Sequence, residues 1–432
     1  MNDVEEKMET ENLTDSAWRL LFEKYDILNH IEQEGQFFIS ASQIKEFREP
    51  RLMAKFDHTI NLPKLFKRNK LSILPLTRGD YVISHFDAYH KFETISTEIT
   101  NISLPNHIQS LNVDSITSEA VALNCAYVSG IMGDFLEDDQ LYPTVSGRMG
   151  SGIFDFKVKD IITNSQITVK VNNSQIEIDA GYEGLQNLAL IEAKRDLSDD
   201  FLVRQLYYPF RTWKDRVSKV VKPIFLVYSN GVFHLYEYRF DNPNEYSSLT
   251  LVKQKNYTIE EDTTITAEEI NMLLDDNQIT NEPQVAFPQA DSFERVINLC
   301  ELLQEHPMSR DEITINYAFN VRQTNYYTDA ARYLGLVNKQ RDDDITFSLT
   351  PKGKTILHHH YKQRQLAFAE SILSHKVFKD SLRLWFRQGD ISKADIITIM
   401  KQNNLYKVES ESTYIRRAST IKGWLDWIVE LM

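Results

Sequence analysis

The sequence predicts a multidomain chain of the α/β and α+β type, with a mixed sheet flanked by helices near its centre. Its 432 residues are too many for one compact core, so two to four domains are expected. Residues 118–240 contain short apolar β-type runs between two helical patterns. Residues 292–350 show three helical patterns followed by a hairpin. A mixed-sheet core and a smaller helical domain are therefore predicted.

The composition is that of an ordinary globular protein, with 42% hydrophobic and 25% charged residues. No apolar stretch approaches the ~18 residues of a membrane span, and the acidic start lacks the apolar core of a signal peptide. The two cysteines, Cys125 and Cys300, lie in apolar helical patterns. We therefore expect a cytoplasmic location, and a zinc site built on cysteines is excluded.

The charge is unevenly distributed along the chain. The net charge of −14 counts against a nucleic-acid partner. However, residues 351–432 hold 14 Lys+Arg and 8 Asp+Glu, a local charge of +6, so the preceding residues carry −20. This asymmetry indicates a segment near the C-terminal end that faces a polyanion.

Residues 1–110 are predicted to form an N-terminal mixed α/β region, a candidate for DNA recognition. A helix is expected from Ser16 to about Gln33, then a strand, a short helix and two strands joined at residues 77–79. Four basic residues follow one another closely: Lys64, Lys67, Arg68 and Lys70. A solvated face is the preferred interpretation, and a DNA-contacting face is the alternative.

Residues 111–245 are predicted to form the mixed-sheet core. An apolar, small-residue-rich helix is expected over 118–135, followed by a flexible loop over 146–152 that matches neither phosphate-binding glycine motif. Its glycines would let another backbone approach closely, and Arg148 and Ser151 in it are candidate DNA contacts.

Two carboxylates and a lysine are expected to converge on neighbouring strands. Ile176 and Ile178 alternate with Glu177 and Asp179, and this strand is expected to break at Gly181. Residues 188–191 predict a buried strand, after which Glu192 and Lys194, two positions apart, share a face. A helix is expected from 197 to 213, bent or ended by Pro209.

These residue types suit phosphodiester hydrolysis. Mg²⁺ prefers carboxylate oxygens and waters, and it lowers the pKa of an attacking water. Asp179 and Glu192 could supply two such oxygens and the Ala193 backbone carbonyl another, while the Lys194 ammonium could orient the water. Glu119, from the preceding helix, is a further candidate metal ligand.

The combination of Asp179 with Glu192-Ala193-Lys194 resembles the PD-(D/E)xK nuclease superfamily. Gln205 on the following helix resembles the Gln-x-x-x-Tyr element of its RecB-type branch, which implies a catalytic role. The sequence here is Gln-Leu-Tyr-Tyr, and Ile178 replaces the proline that precedes the first acid. The upstream Asp155-Phe-Lys157 competes for the same assignment but lacks a preceding turn carboxylate.

A plainer interpretation has Asp179 capping a turn and Glu192 pairing with Lys194 or Arg195 on a solvated edge. The predicted order of helix, three strands and helix favours the nuclease interpretation. A clear hairpin is expected over 222–240, turning at Asn230-Gly231. Residues 246–290 then predict an acidic linker with one short helix near 267–274.

Residues 291–357 resemble a winged helix-turn-helix domain, which implies that the helix after the turn enters the major groove. The residues expected to contact DNA are Arg322, Gln323, Asn325, Tyr326 and Tyr327 in that helix, and Lys339 and Arg341 in the wing. Asp342–Asp344 beside them would repel phosphates, and a role in protein contacts only is the alternative. Residues 358–432 predict a basic helical C-terminal region.

Together the resemblances imply a type II restriction endonuclease. Such an enzyme would hydrolyse double-stranded DNA at a short specific sequence with one or two Mg²⁺ ions per site, leaving 5′-phosphate ends. It would act as a homodimer on DNA, and a cognate DNA methyltransferase would be encoded nearby. The alternatives are a structure-specific DNA repair nuclease of the same superfamily and a non-catalytic winged-helix DNA-binding regulator.

Overall fold

The structure is a computed structural model, and it describes residues 12–432 except 114, 115, 318, 342, 343 and 404. It has a mixed α/β architecture with a large mixed sheet and many helices. We refer to residues 12–84 as the N-terminal unit, 85–258 as the central unit and 265–432 as the C-terminal unit. In the described part of the chain, no helix combines the length and the apolar character needed to cross a bilayer.

The N-terminal unit packs short helices around a three-stranded antiparallel sheet of order β1-β3-β2. Its elements are α1 (Leu13–Lys24), α2 (Ile27–Glu34), β1 (Phe37–Ser40), α3 (Ala41–Lys45), α4 (Pro50–Met53), a 3₁₀ turn (Thr59–Asn61), α5 (Lys64–Arg68), β2 (Ser72–Pro75) and β3 (Asp80–Ser84). The single helix expected near the start is two helices, because Asp26 adopts a left-handed φ of 45° between them. Trp18 and Phe66, with ring centroids 4.7 Å apart, anchor the core.

The central unit is built on a seven-stranded sheet of order β5-β14-β13-β12-β10-β9-β6. Its elements are β4 (Tyr89–Lys91), β5 (Ile99–Asn101), α6 (Glu119–Val128), α7 (Ile131–Leu136), β6 (Tyr142–Gly150), β7 (Ile153–Lys159), β8 (Gln166–Asn172), β9 (Gln175–Glu183), β10 (Asn187–Lys194), β11 (Asp200–Leu202), α8 (Arg204–Lys214), β12 (Val220–Ser229), β13 (Val232–Phe240), a 3₁₀ turn (Tyr246–Ser248) and β14 (Leu249–Thr258). The β10–β12 and β14–β5 pairs are parallel, and the other pairs are antiparallel.

The sheet lies between helices. Buried residues of α6 and α7 pack on the face that carries Ala189 and Ile191. Buried residues of α8 pack on the opposite face, which carries Leu188 and Leu190. The buried strand expected over 188–191 is confirmed, and its unbroken apolar run reflects coverage of both faces. The hairpin turning at Asn230-Gly231 is also confirmed, since both residues have positive φ.

Two expectations that were based on glycines, a loop and a strand end, were wrong. Residues 146–150, expected in a flexible loop, belong to edge strand β6, where Gly147 at φ +87° lies at a register shift. Strand β9 does not break at Gly181 but continues to Glu183. A Cβ at Gly181 would lie 2.8 Å from the Val145 Cβ, so this glycine permits close packing of β9 on β6.

Two further expectations were wrong. The helix expected from residue 197 begins only at Arg204, after strand β11, and it runs through Pro209 because its buried neighbours hold it against the sheet. Residues 249–258, expected within an acidic linker, form strand β14, which pairs with β13 and β5. The short helix expected near 267–274 is confirmed.

The C-terminal unit combines helices with a three-stranded sheet of order β15-β17-β16. Its elements are α9 (Ala267–Asp276), α10 (Phe293–Leu302), β15 (Met308–Ser309), α11 (Arg310–Asn316), α12 (Val321–Tyr333), β16 (Val337–Arg341), β17 (Ile345–Leu349), α13 (Pro351–Leu357), α14 (Tyr361–Leu373), α15 (Lys376–Gln388), α16 (Lys393–Gln402) and α17 (Glu411–Glu430). One hydrophobic core runs through all of it, with Trp424 packed on Phe293 and Phe378.

Candidate active site

The candidate site lies where strands β9 and β10 separate. The two strands pair from Leu188 opposite Glu183 to Ile191 opposite Ala180, and the pairing then stops. The next residues along are Asp179 and Glu192. The Ala193 backbone N–H donates to Asp179 Oδ2 at 2.8 Å, so a carboxylate replaces the carbonyl that a continued ladder would offer.

Glu192 is the centre of the hydrogen bonds at this point. Lys194 Nζ and Gln205 Nε2 both donate to Glu192 Oε1, each at 2.6 Å. The contact confirms that Glu192 and Lys194 share a face of the strand. Gln205 contacts the same carboxylate from α8, which packs against the sheet. The four residues expected to be catalytic, including Asp179, are therefore brought together by two strands and one helix.

The Lys194 ammonium lies among an excess of acids. Burial alone would lower the pKa of Lys194, but the charges of Glu192, Asp57, Glu119 and Asp179 raise it well above its usual value. Burial raises the pKa of Glu192 to about 7, with Asp179 and Asp57 adding to the rise and Lys194 opposing it. Burial likewise raises the pKa of Asp179. The Lys194 ammonium is thus influenced by four carboxyl groups, of which it contacts Glu192 directly.

Glu119 belongs to this charge cluster. It lies in the first turn of α6, whose N-cap is Ser118. Burial raises its pKa, with Lys194 opposing and Glu192 adding to the rise. Glu119 therefore lies within electrostatic reach of the strand-borne acids, as its candidate role requires. The competing Asp155 lies on β7, which pairs with β8 outside the seven-stranded sheet.

The oxygen atoms at the site suit a hard divalent cation. Asp179 and Glu192 offer carboxylate oxygens, and the Ala193 carbonyl shares the side of β10 on which its N–H meets Asp179. Gln205 Oε1 is buried and accepts no hydrogen bond within the described residues. Among those residues no three His, Cys, Asp or Glu side chains form a ready metal centre. Lys194 Nζ instead holds the Glu192 carboxylate, so a cation and the ammonium would compete for it.

The N-terminal unit contributes residues that the sequence analysis missed. The His58 ring bridges two residues that follow β10, with Nε2 lying 3.0 Å from Asp196 Oδ2 and Nδ1 2.5 Å from the Asp200 carbonyl oxygen. The Thr59 backbone N–H donates to Asp200 Oδ1 at 3.0 Å, and its hydroxyl donates to the same carboxylate. More than 130 residues separate the partners, and no local pattern in the sequence indicates the contact.

A cavity of about 570 Å³ opens beside these contacts and is lined by residues of all three units. Lys67 and Lys70, for which a solvated face was the preferred interpretation, line it together with His58 and Arg295. Lys67 Nζ donates to the Ile60 carbonyl at 2.6 Å, and burial lowers its pKa. All four basic residues are exposed, as the solvated-face interpretation expects, and two of them also border this cavity.

The C-terminal unit contacts the residues that follow Lys194 at the end of β10. Arg195, the residue after Lys194, donates through Nη1 to the Thr117 carbonyl and to Glu305 Oε1, each at 2.5 Å. Asn298 on α10 donates to the Arg195 carbonyl at 2.6 Å and accepts from the Leu197 N–H at 3.1 Å. The end of β10 is thus fixed by side chains from outside the sheet.

The expected DNA contacts divide into exposed and buried residues. Arg148, Arg322, Asn325, Lys339 and Arg341 are exposed, and Tyr326 is half-buried. Tyr327 and Ser151 are buried, with exposed fractions of 7% and 2%, so neither side chain is presented at the surface of this structure. Tyr327 packs on Phe319 in the core, and the Ser151 carbonyl accepts from Thr212. Of the wing acids, Asp342 and Asp343 lie outside the described residues.

Gln323 has a structural role at the start of α12. Its side-chain oxygen accepts from the Asn320 N–H at 3.2 Å, and Asn320 Oδ1 accepts from the Gln323 N–H at 2.8 Å. This reciprocal pair is a capping box. Arg148 on β6 pairs with Glu177 on the neighbouring strand β9 at 3.1 Å. Both side chains would have to leave these partners in order to contact DNA.

Three family models match the chain in succession, and each describes a domain of unknown function. They are DUF6996 over residues 15–83, DUF6997 over 84–258 and DUF7226 over 295–432. The second match spans Asp179, Glu192 and Lys194, and the first spans His58. No curated protein and no solved structure matches the chain.

Proposed function

We propose that the chain is a Mg²⁺-dependent endonuclease that resembles type II restriction enzymes of the PD-(D/E)xK superfamily. The observation that carries the proposal is the convergence of Asp179, Glu192 and Lys194 where β9 and β10 separate, with Gln205 bonded to the same Glu192 oxygen. A structural ion pair would not need a second, partly buried carboxylate beside it and an amide aimed at one acid.

Each side chain has a task in this scheme. A divalent cation held by the carboxylates would polarise the scissile phosphate and activate a water. Gln205 fixes the Glu192 carboxylate, and the Ala193 N–H fixes that of Asp179. The Lys194 ammonium orients the attacking water and offsets the negative charge that develops on the phosphate. Burial strengthens each of these interactions, because the water that would screen them is largely excluded.

The C-terminal unit is proposed to deliver DNA through a winged helix-turn-helix. Its order of α10, β15, α11, α12 and the β16–β17 hairpin is the order of elements in such domains. Arg322 and Asn325 are exposed on α12, and Lys339 and Arg341 are exposed on the hairpin. Arg and Asn suit base edges, whereas the hairpin cations suit phosphates.

Cutting both strands of a duplex requires two such sites, so we propose a homodimer on DNA. Plasmid DNA incubated with the protein and Mg²⁺ tests the proposal. Discrete fragments with 5′-phosphate ends are expected. Cutting confined to junctions or flaps would indicate a structure-specific repair nuclease. Binding without cutting in Mg²⁺ or Mn²⁺ would indicate a non-catalytic regulator and would overturn the proposal.

A further inference from the structure

The cavity of about 570 Å³ beside His58 has no task in the proposed cleavage reaction. Its volume lies within the range of about 300–1,000 Å³ that small-molecule sites occupy. Apolar residues line part of it, among them Leu62 and Phe66 from the N-terminal unit and Phe86 from the central unit. The cavity therefore suits a ligand that has an apolar or aromatic body, and it admits one the size of a nucleotide.

Cationic residues line the same cavity. Lys67 and Lys70 come from the N-terminal unit and Lys91 from β4, and all three are exposed. Lys67 Nζ is fixed by its bond to the Ile60 carbonyl at 2.6 Å. Neither Lys70 nor Lys91 forms an ion pair with an acid in the described part of the chain. Ammonium groups without an acidic partner attract an anion such as a phosphate group.

Asp87 adds a carboxylate that is not satisfied within the protein. It lines the cavity, is half-buried and accepts no hydrogen bond from any residue that the structure describes. Burial raises the pKa of Asp87, so N–H donors of a ligand would stabilise its charged form. Asp199 and Asp200 also line the cavity, and Thr59 already bonds to the second of them. These carboxylates would repel a simple anion, whereas a ligand with both a phosphate and N–H donors suits acids and cations alike.

We propose that this cavity binds a single nucleotide. The base lies against the apolar residues and donates its N–H groups to Asp87, and the phosphate lies near Lys67 and Lys70. The site is separate from the cleavage site, and its occupation does not depend on cleavage. A free nucleotide and a nucleotide unstacked from bound DNA offer the same chemistry to it.

Equilibrium dialysis of the full chain against deoxynucleoside 5′-monophosphates tests the binding. EDTA is present, so that the phosphate cannot bind through a metal at Asp179 and Glu192. At least one monophosphate should bind about 10-fold or more tightly than its nucleoside and than inorganic phosphate. Asp87→Asn and Lys70→Gln should each weaken that binding about 10-fold. Arg68→Gln removes an exposed cation that does not line the cavity, and as the matched control it should stay within about twofold of wild type.

Competition with duplex DNA distinguishes the two sources of the nucleotide. If the nucleotide is taken from bound DNA, saturating monophosphate should weaken duplex binding by the wild-type protein about 10-fold and have little effect on Asp87→Asn. If the ligand is a free nucleotide, duplex binding should change by less than about twofold in both proteins.

Three results would overturn the inference. Absence of binding by every monophosphate would remove the ligand class. Inorganic phosphate that binds as tightly as the monophosphates would reduce the cavity to an anion site. Monophosphate affinity that is unchanged in both Asp87→Asn and Lys70→Gln would place the binding elsewhere. Because dialysis requires no cleavage, failure to cut plasmid DNA would overturn the proposed function and leave this inference standing.

Discussion

Burial of Glu192 places a carboxylate at the candidate site, but it lowers the stability of the folded protein when that carboxylate is charged. Its pKa is raised from 4.5 to about 7, chiefly by burial, so the folded protein disfavours the charged form. The stability that this group contributes is therefore fully present below about pH 4.5 and is lost as the pH rises towards 7. A cation bound at the carboxylate would reverse that loss.

This sign gives a testable pH dependence for Glu192→Gln in the absence of divalent ions. The variant lacks the ionisation, so its stability relative to wild type should grow between about pH 5 and pH 8 by about 3 kcal/mol and level off above. Urea unfolding at a series of pH values, with EDTA present, measures the difference. A difference that does not change with pH would contradict the account.

The sequence could predict the strand-borne residues of the site but not those from outside the sheet. Asp179 follows the alternating residues of β9, and Glu192 and Lys194 follow the unbroken apolar run of β10, and both patterns can be recognised in the sequence. Asp57 and His58 bond to the chain that follows β10 through contacts between residues far apart in sequence. Only the docking of two units creates those contacts, and no local pattern encodes it.

Helix α12 shows the same limit at the scale of an element. Its buried residues include Thr324, Tyr327, Thr328 and Ala331, which is the i, i+3, i+4, i+7 stripe of a helix packed on a core. This spacing was available in the sequence and separates Tyr327 from Arg322 and Asn325. The DNA contacts expected in α12 are neighbours in the sequence, but they lie on different faces of the helix.

Tyr327→Ala and Arg322→Ala should therefore affect different properties: the first should lower stability, and the second should weaken DNA binding. Tyr327→Ala removes a buried ring that packs on Phe319 and under the Arg295 guanidinium, and should cost about 3 kcal/mol of stability. Arg322→Ala, at an exposed position, should change stability by less than about 0.5 kcal/mol. If α12 faces DNA, it should weaken binding about 10-fold. Thermal unfolding and DNA-binding titrations measure the two effects, and a reversed pattern would reject this orientation of α12.

Strand pairing is the element-scale feature that the sequence revealed least. Gly147 suggested a flexible loop and Gly181 a strand end, yet both lie within strands: Gly147 stands at a register shift, and Gly181 permits close packing. Strand β14 lies in a segment that is acidic overall, and it joins β5 in parallel across more than 150 residues of chain. The composition of such a segment shows that it is acidic, but it does not show which strand the segment pairs with.

At the scale of the molecule, α10 links the C-terminal unit to the central sheet. Besides its bonds to Arg195 and Leu197, Asn298 donates to Ser229 Oγ at 3.1 Å, and Glu301 accepts from Ser229 and from the Asn230 N–H, each at 2.8 Å. Both side chains are buried. This network connects the end of β10, and so the candidate site, to the turn between β12 and β13.

Asn298→Ala should destabilise the whole chain. It would leave the Arg195 carbonyl and the Leu197 N–H without their buried partner, at a cost of about 2 kcal/mol or more. Asn325→Ala, an exposed asparagine in the same unit, is the matched control and should stay within about 0.5 kcal/mol of wild type. Urea unfolding compares them. Equal stability of the two variants would mean that the network does not couple the units.

We propose that Asp179 and Lys194 take part in phosphodiester hydrolysis on DNA. Single-turnover cleavage of plasmid DNA in Mg²⁺ tests it in wild-type protein and in three variants: Asp179→Asn, Lys194→Ala and, as an exposed acid from the competing motif, Asp155→Asn. We predict that the first two lose about a hundredfold or more in rate while still binding DNA, and that Asp155→Asn cuts normally. Full activity in Asp179→Asn or Lys194→Ala would contradict the account.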